Sequence, residues 1–178
     1  GGIVHDHGGT IEPIKFVNTL MPNDIEIIFG KEIQGFTRNT EGWTIALSDK
    51  NKINAEILIL TCSDGLNKIK QTSVFNLQYT QGQVTYLNKN KFKNIPKTNF
   101  SFSGYVTPPV EGVITVGATF EKNSNERNYI SKEASKININ NIPNEVFRNL
   151  FSSNVNLSQL DGRVSMRVSP FDRMPMMG

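Results

Sequence analysis

The stretch Gly162-Arg163-Val164-Ser165-Met166-Arg167-Val168-Ser169-Pro170-Phe171-Asp172-Arg173-Met174-Pro175-Met176-Met177-Gly178 sets two arginines into an otherwise apolar strand. Arg163, Ser165 and Arg167 alternate with Val164, Met166 and Val168. The two-residue period of a β-strand therefore puts both arginines on one face. A guanidinium on a half-buried strand needs an anion. One candidate is a bound carboxylate, whose two oxygens match the planar fork of the side chain. The other is an internal salt bridge to Asp or Glu. The strand signal reaches back to Gln159, and residues 169–178 read as irregular.

Upstream of this stretch the chain alternates short strands with turn chemistry. Two helices are expected over Ile130–Ile139 and Asn144–Phe151; in the second, Val146, Phe147 and Leu150 fall at helical spacing behind Pro143. Before them, Gln83–Leu87, Phe100–Phe102, Tyr105–Thr107 and Val113–Val116 read as strands. Pro108-Pro109 and Glu111-Gly112 punctuate the last two as a hairpin. Further upstream, Gly35–Arg38 and Trp43–Leu47 form a strand pair about a turn at Asn39–Gly42, and Asp49–Asn51 is a second turn. Ile25–Ile28 is expected as a strand. Ile53 to Leu60 ends in Ile57-Leu58-Ile59-Leu60, a continuous apolar run that reads as a strand covered on both faces. A helix is expected over Pro13–Leu20, with Ile14, Val17 and Leu20 on one face and Pro13 in the first turn. The expected class is α+β (α/β): a mixed, largely antiparallel sheet flanked by helices, attached to remnants of a parallel layer.

Composition narrows the function. The chain has 178 residues, 37% of them hydrophobic, and a formal charge of +3. Mean hydropathy is −0.33, and no apolar run approaches the ~18 residues of a membrane span. Collagen, coiled coil and an integral membrane protein are excluded. One cysteine and two histidines argue against a structural zinc site or a metalloenzyme, so no metal is expected. The single cysteine also fits a reducing cytoplasm. The chain opens Gly1-Gly2-Ile3-Val4-His5, with no secretory signal and no initiator Met, and we read it as an internal piece of a longer protein.

Several local signals have two readings. His5-Asp6-His7 is either a partial metal site or a solvated segment. Cys62, after the apolar run, is either a reactive thiol or a small core residue at a strand end. Lys89, Lys91, Lys93 and Lys97, with Phe92 among them, are either a solvated face or a loop that tracks a phosphate backbone. No G-x-G-x-x-G and no Walker A motif occurs, so the chain carries no recognisable phosphate cradle of its own.

Four segments in order resemble the FAD-dependent amino-acid oxidase superfamily, and within it the oxidase half of the bifunctional bacterial enzymes that modify the tRNA wobble uridine. Gly8-Gly9-Thr10-Ile11-Glu12-Pro13 is similar to the superfamily's Gly-Gly-x-x-x-Pro entry into a helix. Gln71-Thr72-Ser73 with Gly82-Gln83-Val84 matches the lead into its substrate sheet. Gly104-Tyr105-Val106-Thr107-Pro108 with Gly117-Ala118-Thr119 matches the strand pair over the flavin. Arg163 to Gly178 matches the signature Arg-x-Gly-x-Arg…Arg-Asp-x-x-Pro-x-x-Gly, with Ser165 in place of a glycine.

The resemblance implies FAD as cofactor and assigns residues to it. Arg167 would clamp the substrate carboxylate and Tyr105 would stand beside it. Pro175 and Gly178 would belong to a loop near the flavin. Ile57–Leu60 would be the strand that ends in the superfamily's Ala-x-Gly, here Thr61-Cys62-Ser63, which makes Thr61 and Ser63 cofactor contacts. No catalytic side chain is implied, because an amine that binds neutral needs no general base. The implied reaction removes the carboxymethyl group from 5-carboxymethylaminomethyl-(2-thio)uridine at the tRNA wobble position, leaving the aminomethyl form and glyoxylate. Alternatives are an oxidase of glycine or another small amino acid, and a non-catalytic binding module with a decayed flavin site. The implied partners are tRNA and, in the same chain, a methyltransferase domain using S-adenosylmethionine. On this reading about 1–65 and 169–178 are partly FAD-domain elements and about 66–168 are mainly the substrate-binding lobe, all cytoplasmic. The superfamily's Gly-rich fingerprint precedes such a segment, so these 178 residues alone are expected to be inactive.

Overall fold

The computed structural model describes residues 2–122, 129–151, 156, 160–172 and 174. Its described elements run α1 (Pro13–Leu20), β1 (Ile33–Asn39), β2 (Gly42–Leu47), β3 (Lys52–Ala55), β4 (Leu77–Asn88), β5 (Phe100–Ser101), β6 (Tyr105–Val106), β7 (Val113–Gly117), β8 (Glu121–Lys122), α2 (Lys132–Asn140), α3 (Asn144–Leu150) and β9 (Asp161–Pro170). They fall into two compact units, residues 1–20 with 80–166 and residues 21–79 with 167–178. The expected α+β class with antiparallel sheets is what the chain adopts.

In the first unit the strand order is β5-β6-β7-β4-β8, and β9 also pairs with β4. β4 alternates strictly: Gln81, Gln83, Thr85 and Leu87 are buried, while Gly82, Val84 and Tyr86 are half-buried. The buried face meets the core. Leu87, Phe92, Val106, Ile114 and Val116 pack with Ile139, Ile142, Leu150 and Phe151 from α2, α3 and their flanks. Each such side chain contributes about 1.5–3 kcal/mol over its exposed state. The rings of Phe92 and Phe147 flank Phe151 at 4.5 and 4.6 Å between centroids.

The core face of β4 is polar where it meets α2, and one side chain resolves that conflict. The Gln83 amide Nε2 donates to Ser131 O and Ser135 Oγ, both at 2.9 Å, and its Oε1 accepts from Ser131 N at 2.8 Å. It thus treats Ser131 as another strand would. Asn138 Nδ2 in turn donates to Gln83 O at 2.9 Å and Thr85 Oγ1 at 3.1 Å. Ser131 also caps α2, its Oγ accepting from Ala134 N at 3.3 Å.

In the second unit β1, β2 and β3 form an antiparallel meander. Phe36, Ile45 and Ile53 align on one face, and Thr37, Thr44 and Asn54 on the other. The Phe36 and Trp43 rings meet edge to face at 5.5 Å, and the Arg38 guanidinium lies 5.7 Å from the Trp43 ring centre.

Two expected strands are corrected here. β3 stops at Ala55, opposite Trp43, because β2 begins at Gly42 and the partner runs out. The run Ile57–Leu60 therefore leaves the sheet, with Ile57 76% and Ile59 77% exposed. Likewise β2 ends at Leu47, so β1 begins at its partner Ile33 and Ile25–Ile28 pairs with nothing among the described residues. Cys62 is exposed rather than part of a core. The helix Pro13–Leu20 forms as expected, but its apolar residues Ile14, Val17 and Leu20 are exposed. Gln159 lies outside the described residues.

Candidate functional site

Strand β9 shows the alternation read from the sequence. Asp161, Arg163, Ser165 and Arg167 are exposed, and Gly162, Val164, Met166 and Val168 are half-buried. Gly162 sits where a Cβ would strike the carbonyl of Val84, so only glycine lets β9 approach β4 this closely. Among the described residues neither Arg163 nor Arg167 is salt-bridged to a carboxylate. The described carboxylates thus leave both guanidinium forks open to an anion from outside. Arg163 belongs to the unit of residues 80–166 and Arg167 to the other.

Tyr105 in β6 stands opposite Ser101 of β5 and Gly117 of β7. The neighbouring row, Val106, Val116 and Thr85, is buried. By the alternation of strands, Tyr105, Gly117 and Val84 lie on the other face of the sheet, with Thr107, Thr115 and Tyr86 in the next row. Gly117 leaves room there for Val84, whose Cγ1 would lie 2.8 Å from a Cβ at this position. Burial, with a smaller contribution from Tyr86, raises the Tyr105 phenol above its usual value near 10. The hydroxyl therefore stays protonated at neutral pH and is a hydrogen-bond donor to an anion. Tyr86 is a residue that the motifs do not single out. The period-two pattern through Gln83–Leu87 carries the signal, because it turns position 86 away from the core.

Thr61 and Ser63 lie in the second unit, both exposed, where the chain turns after Leu60 into a short 3-10 segment, Ser63–Lys68. Ser63 has φ 51°, the left-handed region that favours glycine. Pro175 and Gly178 lie outside the described residues. The same unit has a shallow, mostly apolar groove of about 340 Å³ on its meander, lined by Phe36, Thr37, Thr44, Ala46, Lys52 and Gln71 among others. Gln71 Nε2 donates to Phe36 O at 2.5 Å at its rim. Neither Thr61 nor Ser63 lines it. Among the described residues no three His, Cys, Asp or Glu side chains are grouped as metal ligands, and no helix is long and apolar enough to cross a membrane.

The fold is similar to part of two solved glycine oxidases. Glycine oxidase from Geobacillus kaustophilus superposes with a TM-score of 0.60 at 13% identity, over 83% of this chain and 39% of that chain. Glycine oxidase from Bacillus cereus ATCC 14579 gives 0.61 at 14% identity, over 83% and 40%. This chain is 23% identical over its whole length to a protein of Saccharophagus degradans, and 27% identical to one of Nitrosospira multiformis. Both are named tRNA 5-methylaminomethyl-2-thiouridine biosynthesis bifunctional protein MnmC. The chain spans 25% and 30% of their lengths. No family model matches it. Sequence similarity over the whole chain and fold similarity over 83% of it agree with the resemblance carried by the motifs.

Proposed function

We propose that this chain is the substrate-sheet part of an FAD-dependent oxidoreductase that removes the carboxymethyl group of 5-carboxymethylaminomethyl-(2-thio)uridine at the tRNA wobble position. The carrying observation is the whole-length similarity to bifunctional proteins named for this tRNA biosynthesis. The open arginines of β9 support it, because the substrate side chain ends in a carboxylate. On this reading Arg167 binds that carboxylate through its fork and Tyr105 donates a second hydrogen bond from its neutral hydroxyl. Holding that carboxylate orients the amine and its neighbouring carbon, and orientation is most of what such a protein adds. Bound FAD supplies the acceptor for the hydride that leaves that carbon; water then splits the resulting imine into the aminomethyl nucleoside and glyoxylate.

One observation bears on whether this chain fits the flavin. Ser63 replaces the glycine of the superfamily's Ala-x-Gly turn, yet its backbone keeps the left-handed conformation a glycine would take. A left-handed backbone at this position supports a cofactor role, and we assign Thr61, Ser63, Pro175 and Gly178 to the flavin. We place the substrate-binding lobe in the antiparallel sheet with α2 and α3, and assign the three-stranded meander to the flavin side. A methyltransferase domain using S-adenosylmethionine in the same protein, and a cytoplasmic location, follow from the same proposal.

A second reading, oxidation of free glycine, is favoured by the solved structures that share the fold. Nucleoside analysis of tRNA from a strain lacking the gene separates the two. Accumulation of the carboxymethylaminomethyl nucleoside is expected, whereas an unchanged nucleoside profile with lost glycine oxidation would select the second reading.

A further inference from the structure

We propose that the loop of residues 88–99 is an RNA phosphate-backbone contact surface; this rests on the tRNA reading above and assigns part of its binding surface. Lys89, Lys91, Lys93 and Lys97 all lie in this loop, which contains no Asp or Glu. All four are exposed, and none has an ion pair among the described residues. Glu111 is adjacent to Gly112, where a Cβ would sit 4.0 Å from the Lys89 stem, but Glu111 already faces Lys15 at 3.8 Å.

A solvated run of lysines is ordinarily loose, whereas this one is pinned. Asn88 caps a 3-10 turn, Lys89–Lys91, its Oδ1 accepting from Asn90 N at 2.9 Å. Phe92, only 9% exposed, plugs into the core against Phe151, and Pro96 is buried as well. Lys93 N donates to Leu150 O at 2.7 Å, and Asn94 Nδ2 donates to Asn149 O at 2.7 Å. The loop therefore holds its charges outward from a fixed main chain at the end of α3, whose last turn adds Arg148. The pinning also defines the partner. The loop's one aromatic ring is turned inward, so no ring is left on it to stack on a base. What remains is ammonium groups interleaved with Asn and Thr beside one exposed aliphatic side chain, Ile95, and the ammonium, Asn and Thr groups are the chemistry that grips phosphates without reading sequence.

The test uses the full-length protein and tRNA from a strain lacking the modification. Binding is titrated between about 50 and 200 mM salt for wild type, for a variant with all four lysines changed to Ala, and for one with all four changed to Arg. The Ala variant is expected to raise the tRNA Kd at least about tenfold. Its plot of log affinity against log salt is expected to flatten by roughly 0.7–0.9 in slope for each phosphate it no longer neutralises. The Arg variant restores both. Turnover of the isolated carboxymethylaminomethyl nucleoside stays unchanged in all three. Unaltered tRNA binding by the Ala variant overturns the loop assignment and leaves the tRNA reading standing. Absence of tRNA binding by wild type overturns both. Loss of binding to phosphatidylserine vesicles with tRNA binding intact also overturns the assignment, making the loop a lipid contact.

Discussion

Arg167 shows what a single residue contributes and how it is tested. Its side chain is exposed on β9 and unbridged among the described residues. In the full-length protein Arg167→Ala is expected to lower kcat/KM for the carboxylate-bearing substrate by about tenfold to a hundredfold, the worth of one charge-assisted hydrogen-bonded pair. Arg167→Lys is expected to recover part of this, because a point charge replaces a fork. An unchanged kcat/KM in steady-state kinetics would make the arginine structural. The place of Arg167 on the exposed face of β9 was legible, because strand period lies in local sequence. The Ser63 backbone was not: no composition rule expects a serine at φ 51°.

Elements were legible where local pattern and pairing agree. The hairpin of β1 and β2, the helices and the β6–β7 pair all come from short-range periodicity and turn residues. The misread segments, Ile25–Ile28 and Ile57–Leu60, are apolar runs whose fate depends on whether another strand lies beside them, and a sequence window cannot show that. The union of β4 with α2 was also hidden, since Gln83 looks like a surface residue until its amide is seen bonded to Ser131 and Ser135. Gln83→Leu removes those bonds and leaves the Ser131 N–H and C=O buried without this partner. We expect it to cost about 2–4 kcal/mol of unfolding free energy, read by denaturant titration. A change below about 0.5 kcal/mol would mean that the amide contributes no net stability.

The whole molecule is two units, and its likeness to known proteins runs along it without covering those relatives. The chain carries no Gly-rich dinucleotide fingerprint, so the 178 residues alone are expected to purify without the visible absorption of a flavin. A yellow preparation with stoichiometric flavin would refute this and make the described turns a sufficient cradle. The architecture also bears on how the edges of such a sheet are protected. The strand path ends in β5 and β8, each of two residues, too short to template a strand from another molecule. β9 is different: ten residues long, it has β4 as its one partner among the described strands. Its exposed face carries Arg163 and Arg167, so two copies meeting strand against strand would oppose like charges. Arg163 and Arg167 therefore also act as charged guards against edge-to-edge aggregation, and neutralising both is expected to make this edge stickier.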